Sequence, residues 1–164
     1  MPFPGQTIYP AFSMAPGDHL SETEFWNMAN ALAHPRNRSI TTLTPGVSTA
    51  ANDDTFLVGV VDEDAVVTAV TYTPEATITG ATTNNRALSV INKGQDGAGS
   101  TVVATLTFAN GVNATAFDEK TITLTGTAAD LNVTAGDVLA LFSDSNGTGI
   151  VDPGGLVKVS LARR

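Results

Sequence analysis

Few residues in this chain are able to do chemistry, and their spacing limits what that chemistry can be. His19 and His34 are the only imidazoles, and there is no cysteine. Disulfides, thiolate metal sites and thiol nucleophiles are excluded, and a transition-metal site has little to draw on. A Ser-His-acid triad needs an imidazole beside its nucleophile, and no histidine follows residue 34. Acyl transfer is therefore not expected.

Carboxylates cluster at Asp53-Asp54 and at Asp62-Glu63-Asp64. Paired carboxylates serve glycoside hydrolysis or calcium binding, because both need two oxygens held close. Here the first pair falls in a polar stretch and the second group fits a tight turn between two apolar runs, where acidic residues sit in solvent. Asp144-Ser145-Asn146-Gly147-Thr148-Gly149 opens like a calcium loop, with oxygens at alternating positions before a glycine. The closing bidentate glutamate is missing, since Gly155 stands in its place. Lys93–Ser100 joins a lysine to several glycines, but the lysine precedes them and no helical pattern follows, so it reads as a loop. Sugar stacking calls for exposed Trp or Tyr, and only Tyr9, Trp26 and Tyr72 are present. The loops at Thr82–Arg86 and Asp144–Gly149 are the candidates for an Asn/Asp-rich glycan pocket. No catalytic residue, metal or cofactor is expected.

The elements that would position these residues divide near residue 50. Before it, prolines recur (Pro2, Pro4, Pro10, Pro16, Pro35, Pro45) and the apolar residues are often aromatic. Residues 1–54 read as an arm: an extended segment over 1–20, a helix over 21–34, and a Thr-rich connector over 36–54. Ser21 and Glu24 fit a capping box and Leu20 with Phe25 its hydrophobic staple. Phe25, Met28, Ala29 and Leu32 give the helix one apolar face, and Pro35 ends it. So short a helix needs a surface to dock on. Two uses of the arm are open: it folds back over the rest of the chain, or Phe3, Ile8, Tyr9, Phe12, Phe25 and Trp26 anchor another protein or subunit.

Residues 55–164 carry the period of strands. Runs at Thr55–Val61, Ala65–Tyr72, Ala76–Thr79, Ala87–Asn92, Ser100–Ala109, Lys120–Thr125, Asp137–Ser143 and Leu156–Ala162 are separated by turn signals. In Ser100–Ala109 the alternation predicts Val102, Ala104, Leu106 and Phe108 on one face and Val103, Thr105 and Thr107 on the other. With about eight strands and no helical pattern among them, an all-β single sandwich is expected.

Composition agrees. Only 15% of the 164 residues are charged and 42% are hydrophobic, so a core is possible beneath an uncharged Thr/Ser/Asn surface. The net charge of −8 repels phosphate and anionic lipid, so neither nucleic acid nor membrane is an expected partner. No signal peptide is read at the N-terminus and no apolar run is long enough to span a bilayer. The pattern reads as a binding protein rather than an enzyme.

Several segments resemble the capsid decoration (cement) proteins of tailed actinobacterial phages. They are Asn92-Lys93-Gly94, Gly97-Ala98-Gly99-Ser100-Thr101-Val102-Val103-Ala104 and Gly126-Thr127-Ala128-Ala129-Asp130-Leu131. Ala135-Gly136-Asp137-Val138-Leu139, Gly149, Pro153-Gly154-Gly155 and Val157-Lys158-Val159 continue the likeness, which spans roughly 86–164. The resemblance implies a jelly-roll-like sandwich on the outer surface of an icosahedral capsid, as a homotrimer, with the major capsid protein as partner and no catalysis. A different reading of the same composition is a phage head-fibre or tail module that recognises host surface carbohydrate.

Overall fold

The computed structural model describes residues 37–164, which form nine strands. They are β1 (Asn37–Thr44), β2 (Asp54–Val60), β3 (Ala65–Pro74), β4 (Asn85–Asn92), β5 (Thr101–Thr107), β6 (Lys120–Leu124), β7 (Asn132–Val133), β8 (Val138–Asn146) and β9 (Gly155–Arg163). Every pairing is antiparallel, in the order β1-β9-β3-β6-β5-β4-β8-β2, with β7 attached to β3. The strands are rich in Val, Ile, Thr and Leu, whose branched or bulky side chains suit a pleated surface with one face buried. The described residues are thus all-β, with a single 3-10 turn over Ala128–Leu131.

Strand β6 joins two sheets. Its first half pairs with β3 (Val70 opposite Ile122) and its second half with β5 (Ala104 opposite Leu124). One layer is therefore β1-β9-β3-β6 and the other β5-β4-β8-β2. On the far side the edges of β1 and β2 meet, where the Thr42 hydroxyl donates to the Val58 carbonyl and Gly59 lies against the Ile40 side chain. The sheet is nearly closed, leaving little free edge. Between the layers lies one apolar core: Val67, Val70, Tyr72, Val157, Val159 and Leu161 face Leu88, Val90, Val103, Leu106, Leu139 and Leu141.

Bulges decide which residues reach that core. In β3, Val67 pairs with Leu161 and Ala69 with Ser160, so Thr68 is an extra residue. The inward set changes there from Ala65 and Val67 to Val70 and Tyr72. In β5, Ala104 pairs with Val90 but Val102 with Ile91, leaving Val103 extra. Val103 is fully buried and Val102 is 42% exposed, reversing the faces expected from strict alternation. A bulge adds one residue and so reverses the side-chain parity beyond it.

Two further expectations change. Residues 37–44, read from sequence as connector, form β1, because Ile40, Thr41, Thr42 and Leu43 are strand formers that pair with Val159, Lys158, Val157 and Leu156 of β9. Ala76–Thr79 is not a strand; only Ile78 bridges, to Ala114, because Gly80 turns the chain against another loop. A Cβ at Gly80 would overlap the carbonyl oxygens of Ala109 and Val112.

Candidate interaction surface

The outer faces of the two layers differ. On the β1-β9-β3 layer, the rows Thr41-Lys158-Thr71 and Ser39-Ser160-Ala69 are mostly polar and include a lysine, while the row Leu43-Leu156-Thr73 carries two exposed leucines. On the other layer, register places Leu57, Ala140, Ile91 and Val102 side by side across β2, β8, β4 and β5. Val60 and Val138 form the pair on one side of this row, and Thr55, Phe142, Ser89 and Thr105 the row on the other. None of these residues is charged. Leu57 is 64% exposed and Val60 56%, while Ala140 lies buried between its neighbours. Ser89 and Thr105 satisfy each other at 3.1 Å. This outer face thus combines exposed apolar side chains with an absence of charge.

A buried polar network holds the loops at the end of the sandwich where β4 begins. Arg86 is fully buried at the start of β4. Its Nε donates to the Ile150 carbonyl at 2.6 Å, Nη1 to Ser143 Oγ at 3.0 Å, and Nη2 to the carbonyls of Ala50 and Asn52 at 2.8 and 3.1 Å. Ser143 donates onward to Asp152 Oδ2 at 2.7 Å. Asp152 Oδ1 accepts from Tyr72 Oη at 2.8 Å and from the Gly154 N–H at 3.0 Å. Burial first, and then the Asp152 charge, push the Tyr72 phenol well above its ordinary pKa. This network fixes the segments around residues 50 and 150 and leaves none of its groups open to a substrate.

The acidic clusters are likewise engaged. Arg38 pairs with Asp62 and, at 3.3 Å, with Glu63, which also meets Arg163 at 3.5 Å. The turn at Asp62-Glu63-Asp64 thereby ties the start of β1 to the end of β9, and Asp64 accepts from the Ala135 N–H at 3.0 Å. Asp53 accepts from both the N–H and the hydroxyl of Ser145 at 2.7 Å, and these hydrogen bonds hold its carboxyl below the usual range. Asp54 caps its own strand through the Thr55 N–H. Among the described residues, no three His, Asp or Glu converge as a metal-ligand set.

The remaining sequence candidates fall as follows. The Lys93–Ser100 loop closes on itself, Gly99 N–H to the Lys93 carbonyl at 2.7 Å. The loops Thr82–Arg86 and Asp144–Gly149 do come together, with Thr148 N–H on Asn84 Oδ1 at 3.1 Å. Arg86 and Tyr72 are nevertheless buried, so Tyr72 has no face to offer a sugar. Phe3, Ile8, Tyr9, Phe12, Phe25 and Trp26, with the helix over 21–34 and both histidines, lie outside the described residues. The sequence reading missed the apolar row and the Arg86 network. Parity was the available signal for the second, since Arg86 shares a face with Leu88 and Val90.

No protein-family model matches the chain, and no curated protein matches it in sequence. Among solved structures it is similar to a chain from the structure of infectious bursal disease virus, Gx strain. The identity is 11%, over 79% of this chain and 33% of that one, with a TM-score of 0.38. This chain thus spans about a third of that neighbour's length, and at that score the likeness carries no inference.

Proposed function

We propose that this protein is a structural virion protein that binds the outer surface of an icosahedral phage capsid and stabilises it by bridging major capsid subunits. The observation that carries the reading is the uncharged outer sheet face around the row Leu57-Ala140-Ile91-Val102, on which Leu57, Val60 and Val102 are exposed. The engagement of the acidic groups with arginines, backbone N–H groups and hydroxyls supports a binding role over a catalytic one. The strand order supports reading the two layers as a jelly roll. Each layer draws strands alternately from both ends of the chain, as two interleaved Greek keys require. The resemblance of residues 86–164 to actinophage decoration proteins supplies the partner class, and with it the homotrimer.

A clamp that binds assembled shell better than free subunits stabilises the shell by mass action. Undecorated capsids of the encoding phage, heated with a DNA-sensitive dye, should rupture at a higher temperature once saturated with the protein. An unchanged rupture temperature at saturation excludes the stabilising role. The paired Asn/Thr loops at 82–86 and 144–149 favour host-carbohydrate recognition as the second reading, and glycan binding that survives removal of residues 1–35 is its mark.

A further inference from the structure

Phe117 is 80% exposed, more than any other large apolar side chain among the described residues. It is also their one non-glycine residue with positive φ, at +60°. A bulky L-residue is disfavoured there, whereas glycine enters that region freely. The loop is nonetheless pinned in this form. Phe117 N–H donates to the Pro74 carbonyl at 2.9 Å, Asp118 N–H to the Thr115 carbonyl at 3.1 Å, and Ala116 N–H to Thr77 Oγ1 at 3.2 Å. The fold uses the backbone of Phe117 and leaves its ring in water. Glycine would serve the backbone better, so the ring is retained for a contact outside the domain.

The surroundings state the chemistry of that contact. Glu75 follows the proline that holds Phe117, and Asp118 and Glu119 follow Phe117 itself; all three are exposed. Glu119 also accepts from Thr71 Oγ1 at 3.1 Å. Lys120, next in sequence, is half-buried in β6, and exposed Lys158 stands opposite Thr71 in the β3-β9 ladder. We infer that Phe117 is an anchor residue that seats in an apolar pocket of the major capsid subunit, and that lysines or arginines on the pocket rim face Glu75, Asp118 and Glu119. The inference rests on the capsid-binding reading and adds to it a second contact on a different element from the apolar sheet face. Two contacts on one rigid domain are what bridging requires.

Co-sedimentation titrations of the full chain against undecorated capsids test this, using the unsubstituted protein, Phe117→Gly and the triple variant E75Q/D118N/E119Q at low and high salt. Phe117→Gly should unfold at an unchanged or higher temperature and bind capsids about tenfold or more weakly. The triple variant should bind more weakly at low salt and lose most of its salt dependence. Binding by Phe117→Gly within about twofold of the unsubstituted chain overturns the inference and leaves the capsid reading standing. A lowered unfolding temperature also overturns it, because the ring then serves the fold. A changed mass in sedimentation equilibrium overturns it in favour of a contact between copies. Failure of the unsubstituted chain to bind removes both the inference and the reading beneath it.

Discussion

Replacing Arg86 with methionine tests whether the buried polar network holds the loop end of the domain together. Methionine keeps much of the stem volume and removes every donor. Three carbonyls in part-buried hydrogen bonds, at Ala50, Asn52 and Ile150, then lose their donor. The Ser143 hydroxyl loses the donor behind it, so Asp152 no longer has a cation one hydroxyl away. Removing one side of a buried charge network costs about 3–5 kcal/mol. Total stabilities run at about 5–15 kcal/mol, so the loss is a large share of what the fold has. Urea unfolding at pH 7, followed by far-ultraviolet circular dichroism, reads it directly. With a slope of about 2 kcal/mol per molar, the midpoint should fall by about 2 M. Arg86→Lys should be nearly as damaging, because a single ammonium cannot span four acceptors set around a planar fork. A midpoint within about 0.5 M of the unsubstituted chain would refute the argument, since about 1 kcal/mol is all that such a shift allows.

Two other substitutions follow from the same geometry. Tyr72→Phe should cost about 1.5–3 kcal/mol at neutral pH through the lost hydrogen bond to Asp152. It should also flatten the alkaline limb: the raised pKa keeps the folded phenol protonated while the unfolded one ionises near pH 10. The unfolded chain then binds fewer protons, so stability falls as pH rises above about 10. Unfolding curves from pH 8 to above pH 10 should show the two proteins converging, and parallel curves would contradict this. Gly80→Ala, which drives a methyl into two carbonyl oxygens, should lower stability by about 1–3 kcal/mol in thermal unfolding.

Much of the fold was legible because hydrophobic parity survives wherever the ladder is regular. Leu139, Leu141 and Ser143 keep one face of β8 inward throughout. Legibility stops at the bulges, because the extra residue that reverses Val102 and Val103 leaves no mark on composition. It stops also at β1, whose threonines suit an edge strand and a polar linker equally well. The apolar face had a signal in the continuous run Val138-Leu139-Ala140-Leu141-Phe142. An antiparallel strand apolar on both parities has two faces to cover, and the core covers only one. Asp152 had none, since its loop position gives a carboxylate no parity and only the fold brings Tyr72 and Ser143 to it.

If the sheet face of β2, β8, β4 and β5 grips a capsid as proposed, the double substitution Leu57→Asp with Val102→Asp removes that grip. Both side chains are exposed, so stability should change by no more than about 0.5 kcal/mol per site. Burying such a side chain at an interface contributes about 1.5–3 kcal/mol when complete. Losing two partly exposed ones, with carboxylates in their place, should weaken co-sedimentation with undecorated capsids by about a hundredfold or more. Saturable binding by the unsubstituted chain and its loss in the folded double variant is the predicted result. Equal binding by the two proteins would contradict the account.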